Sequence, residues 1–121
     1  MKKVLLTGAR GFIGRHCLPL LTANGYEVHA VSSAKQERRS GDPHWHQVNL
    51  LDPGEVMDLI ERVRPTHLLH FAWYSIPGKY WDSIENCRWV EASHFLLNMF
   101  ANKGGHRVVI AGTCAEYDWR Y

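Results

Sequence analysis

Three glycines spaced three apart, Gly8, Gly11 and Gly14, follow directly on the short apolar run Val4-Leu5-Leu6 and lead into a stretch of helical periodicity. A strand that breaks into a helix through bare backbone is suited to binding an anion. Gly8 fits the tight turn, Gly11 leaves the main chain open to an approaching pyrophosphate, and Gly14 lets the helix pack close to the strand. The helix N-terminus adds unpaired N–H groups and the positive end of its dipole. Three glycines also make a plain surface turn. The strand before them and the amphipathic helix after them are what favour a dinucleotide. Arg10, Phe12 and Ile13 lie in the same turn and join the candidate contacts.

The stretch Thr7-Gly8-Ala9-Arg10-Gly11-Phe12-Ile13-Gly14 resembles the T-G-x-x-G-[FY]-[IL]-G signature of the extended short-chain dehydrogenases/reductases, the NAD(P)-dependent epimerase/dehydratase family. Its spacing is not the G-x-G-x-x-G of the two-domain dehydrogenases. Asn49-Leu50-Leu51-Asp52 is similar to the family's D-[LV]-x-D, whose first acid meets the adenine amino group. Asn49 replaces that acid, and its side-chain oxygen either accepts from the amine or serves as an ordinary turn residue; Leu50 lies beside it. His70-Phe71-Ala72 resembles H-x-A, whose backbone lines the cofactor pocket, so Phe71 and Ala72 are contact candidates. His70 itself reads better as a satisfied strand-end histidine than as a catalytic one. Gly112 to Tyr117 resembles S-[ST]-x-x-x-Y, which implies for Thr113 the catalytic hydroxyl that bonds the substrate oxygen. Trp89 stands where the family carries Asn, with Asn86 one turn earlier as a substitute donor.

The end of the second strand bears on which dinucleotide is preferred. NAD-preferring relatives place an acid there for the ribose 2′-OH. Here the chain reads Ser32-Ser33-Ala34-Lys35-Gln36-Glu37-Arg38-Arg39. With no carboxylate at the tip and three cations following, Ser32 and Arg38 are assigned to the ribose end, and NADP is favoured over NAD. The alternative is a solvated loop whose charges contact nothing.

The elements that must hold these residues alternate. Strands are expected over 2–6, 26–31, 45–50, 67–72 and 106–111, with helices over 12–24, 53–64 and 82–103. The first helix carries Phe12, Ile13, Cys17, Leu20 and Leu21 on its apolar side, and Pro19 bends it. Asp52, Pro53 and Glu55 make a strong start for the second. The pattern is α/β, a doubly wound parallel sheet of order 3-2-1-4-5, Rossmann-like, ending after strand five. An aromatic loop over 73–81 either contacts substrate or packs as a lid.

Fourteen Lys and Arg against 12 acidic residues leave a net charge of only +2, which argues against nucleic acid. No apolar run approaches a membrane span, so a cytoplasmic protein is expected. Cys17, Cys87 and Cys114 are widely spaced and expected as reduced, mostly buried thiols. His44 and His46 share a strand face as metal ligands do, but no third ligand stands near them in sequence, so no metal is expected.

The resemblance implies a Tyr and Lys spaced Y-x-x-x-K, and no tyrosine here has Lys four residues on. The expectation is therefore that residues 1–121 are the dinucleotide-binding front of a longer enzyme, without its catalytic and substrate part. The resemblance further implies a nucleotide sugar as substrate, turned over by an epimerase, dehydratase or reductase, and a homodimer in the parent protein. Two other readings stand beside it: a non-catalytic NAD(P)-binding regulatory module, and a domain that binds nothing.

Overall fold

The computed structural model describes residues 2–35, 43–74, 78–79 and 82–112. Five parallel strands, β1 (Lys3–Thr7), β2 (Glu27–Ser32), β3 (His44–Gln47), β4 (His67–His70) and β5 (Arg107–Ile110), form one sheet of order β3-β2-β1-β4-β5. The helices are α1 (Gly14–Ala23), α2 (Pro53–Val63) and α3 (Glu85–Asn102). This is the expected doubly wound order. The chain runs outward from β1 to β3, then crosses back to β4 beside β1, which makes the β1–β4 gap the point where the winding reverses.

Successive strand residues face opposite sides, so the apolar runs feed two cores. Leu5, Val31 and Leu68 meet Val56, Leu59, Ile60 and Val63 of α2 and Leu96 and Phe100 of α3. Leu6 and Ala30, with Leu69 partly buried, face α1. Val56, Leu59, Ile60 and Val63 recur at the i, i+3, i+4, i+7 spacing of one helix face.

For α1 the expected face holds at Cys17 and Leu21 and fails at Phe12, Ile13 and Leu20. Cys17, Leu18 and Leu21 pack on the sheet, whereas Phe12 is 79%, Ile13 54% and Leu20 65% exposed. The helix begins at Gly14, so Phe12 and Ile13 belong to the turn and point outward from it. Pro19 sits inside the helix. On α3, Val90 is likewise exposed, and Cys87 is an exposed free thiol where burial was expected. Strand β5 is exposed along its whole length, unlike the buried β1.

Candidate functional site

A cleft of about 500 Å³ opens at the C-terminal ends of β1, β2, β3 and β4. Its floor is the glycine turn. Gly8 has φ +65°, and a Cβ there would lie 2.8 Å from the Phe71 carbonyl carbon, so the turn is pressed against the end of β4. The Gly11 amide donates to the Gly8 carbonyl at 2.9 Å and closes the turn. A Cβ on Gly14 would collide with the Gly8 carbonyl oxygen. The close approach expected of Gly14 is thus to the turn itself. Gly11 is different: it lines the cleft, and the near neighbour of a Cβ there would be the Gly8 carbonyl, with its oxygen at 3.1 Å.

The two helix starts that flank the cleft differ in what they leave free. At α2, the Asp52 carboxylate accepts from the Gly54 and Glu55 amides, and Glu55 accepts from the Asn49 amide. That N-terminus carries its own anions. At α1 no side chain among the described residues caps the helix, and no acid lies in its first turn. The positive end of α1 therefore faces a cleft with no described anion of the chain's own in place, and exposed Arg10 stands beside it. A bare turn, an uncapped helix and a cation make a cradle that fits a pyrophosphate.

Thr7 sets the geometry between the strand ends. Its hydroxyl oxygen accepts from the Phe71 and Ala72 amides at 3.0 and 3.1 Å. Both lone pairs are then used, so the Thr7 proton must go to His70 Nδ1, 2.7 Å away. His70 is thereby fixed with its own proton on Nε2, which it donates to Ser93 on α3 at 2.7 Å. Burial pushes the imidazole down to about 4. His70 is a neutral bracket joining β1, β4 and α3, and Phe71 and Ala72 line the cleft with their amides committed to Thr7.

Ser32 and Ser33 line the cleft at the end of β2, with no carboxylate among the described lining residues. Asn49 lines it too, while its Oδ1 accepts from the Leu51 amide at 3.0 Å. One oxygen closes the turn and still has a lone pair to offer, so the two readings of Asn49 are compatible. Leu50 is buried beneath it. Arg38 and Thr113 lie outside the described residues, as do Cys114 and much of the aromatic loop.

One wall was not foreseen. Trp73 and Trp89 approach with ring centroids 6.3 Å apart, and the Trp73 indole donates to Asn86 at 2.7 Å. Trp89 lines the cleft in place of the family's Asn, and the Asn86 oxygen holds Trp73 in position. The departure at position 89 was visible in the sequence; the pairing with Trp73 needed the fold.

A crevice at the winding reversal of a parallel sheet, floored by a glycine turn, defines a dinucleotide-binding α/β domain. The NAD dependent epimerase/dehydratase family model matches residues 4–120, and the chain belongs to that family. Among solved structures, UDP-glucose 4-epimerase from Thermus thermophilus in complex with NAD is 29% identical with a TM-score of 0.77, covering 92% of this chain and 37% of that one. The Brucella ovis UDP-glucose 4-epimerase in complex with NAD is 25% identical with a TM-score of 0.81, covering 97% and 37%. The Stenotrophomonas maltophila enzyme with bound NAD and formylated UDP-arabinopyranose, 22% identical with a TM-score of 0.77, covers 95% and 38% and speaks for the fold alone. This chain thus spans less than two fifths of the length of these relatives. No curated protein matches it in sequence.

Proposed function

We propose that the chain is the dinucleotide-binding portion of an NAD(P)-dependent enzyme that acts on a nucleotide-activated sugar as an epimerase, dehydratase or reductase. The observation that carries this reading is the bare Gly8–Gly14 turn beneath an uncapped α1, set at the reversal of the sheet. The UDP-glucose 4-epimerases of Thermus thermophilus and Brucella ovis, both crystallised with NAD, support it. When bound, the nicotinamide supplies hydride chemistry. The chain's own residues bind and orient: the turn amides and the α1 N-terminus take the pyrophosphate, Asn49 the adenine amine, and the Phe71-Ala72 backbone the ribose. Thr113 is assigned the hydroxyl that bonds the substrate oxygen. A cytoplasmic setting, with Cys17 and Cys87 as thiols, accords with this role.

We assign NADP as the better ligand because Ser32 and Ser33 meet the ribose end without a carboxylate, and Lys35, Arg38 and Arg39 follow. The NAD complexes of the relatives lean the other way, so the two dinucleotides are to be titrated side by side. Calorimetry is expected to show saturable binding of both, tighter for NADP. Arg38→Ala is expected to weaken NADP far more than NAD. Equal losses remove the 2′-phosphate site, and absence of any heat or thermal shift removes the dinucleotide reading.

A further inference from the structure

The geometry points to a zinc site formed by Glu27, His29 and His44 on the edge of the sheet, away from the dinucleotide cleft. The sequence offers His44 and His46 alone; the fold supplies the missing ligands from the neighbouring strand. In the β2–β3 register His29 lies opposite His44, and Glu27 precedes His29 by two residues on the same face. One ligand atom from each of Glu27, His29 and His44 falls within 4.8 Å of the other two. Bonds of roughly 2.0–2.2 Å hold ligand atoms no more than about 4.4 Å apart, so the His44 ring, stacked on His29 with centroids 4.8 Å apart, must turn to share an ion with it. Two imidazoles, one carboxylate and an exposed flank leave a position for water, which is a donor set zinc accepts.

His46 and Arg62 complete the arrangement. Arg62 can only donate, so its 3.2 Å contact makes His46 Nδ1 an acceptor and puts the His46 proton on Nε2. That proton goes to His29 Nδ1 at 2.9 Å, and His29 Nε2–H goes to Glu27 at 2.7 Å. The chain of donors thus ends with a proton between His29 and Glu27. An ion takes that proton's place. His29 then carries its hydrogen on Nδ1 and donates it to His46, the outward bond that metal-bound imidazoles usually make. His46 shifts its own hydrogen to Nδ1 and releases Arg62, so the number of protons on the two rings is unchanged.

The consequence is mechanical. The edge strand β3 is four residues long, and an ion would clip it to β2. The cleft begins at Ser32, three residues beyond His29 and roughly 10 Å further along the strand. Dinucleotide binding is therefore expected to proceed with or without the ion.

The test is calorimetric titration of the chelator-treated 121-residue chain with zinc chloride, paired with thermal melts. One saturable site is expected, with a melting temperature that rises with zinc and falls back with chelator. His44→Ala, an exposed position whose fold is checked by circular dichroism, and Glu27→Gln are each expected to lose about tenfold or more in affinity. Arg62→Ala removes a competing hydrogen bond and a cation, and is expected to bind as tightly or more so. Absence of saturable binding, equal affinity in His44→Ala, or a loss in Arg62→Ala as large as that in His44→Ala would each overturn the site.

Discussion

The Thr7 hydroxyl holds three partners at once, and replacing it isolates them. In Thr7→Val the shape is kept, but the Phe71 and Ala72 amides and the His70 Nδ1 lose their bond. Stability is expected to fall by about 2–4 kcal/mol, read by urea denaturation; a loss under about 0.5 kcal/mol contradicts the bracket. His70 makes a second prediction. Its pKa is lowered in the fold to about 4, from 6.5, so the unfolded chain takes the proton first as acid is added. Its contribution is full above pH 6.5 and is lost as the pH falls through about 4. That loss amounts to about 3 kcal/mol, the rest of the acid response being superposed on it. His70→Asn is expected to flatten that part of the curve, and an unchanged slope counts against it. Gly11 lines the cleft and a Cβ there would crowd the Gly8 carbonyl oxygen at 3.1 Å, so Gly11→Val is expected to lose dinucleotide binding, with circular dichroism checking that the fold is kept. Retained affinity by calorimetry contradicts that.

Among the elements, α2 shows what local chemistry specifies on its own. Asp52 caps, Pro53 opens, Val56 to Val63 face the core, and Arg64 ends the helix at φ +51°. Asp52→Ala is expected to cost about 1 kcal/mol, and denaturation with no change at all speaks against the cap. Everything needed to read α2 lies within its own residues. The strand order was legible for a related reason: strands that alternate with helices across short connections admit few topologies. The α1 face was legible at Cys17 and Leu21 only. Phe12, Ile13 and Leu20 fit an apolar stripe, yet the first two sit in the turn and Leu20 faces solvent. Periodicity cannot tell a core stripe from a ligand's rim. The glycine turn was legible because its three glycines, the strand before them and the helix after them are contiguous, whereas the Trp73–Trp89 wall and the Glu27–His29–His44 cluster join residues apart in the chain and appear only in the fold.

Across the whole molecule the sheet has two unlike edges. Strand β3 carries histidines, a short and polar edge of the kind that resists pairing. Strand β5 exposes Val108, Val109 and Ile110 at 40–49% along the other edge of the described sheet. The chain by itself is expected to associate through β5 as its concentration rises, and Val109→Lys to suppress this in sedimentation velocity; equal association in the variant would place the contact elsewhere. Inside that sheet, the tips of β1 and β4 stand at a separation fixed by Thr7, where the winding reverses. A slot cut to width in advance asks nothing of the strands when a guest arrives. Little ordering of these strands is left to do on arrival, so a ligand seated there would be spared that part of the cost of association.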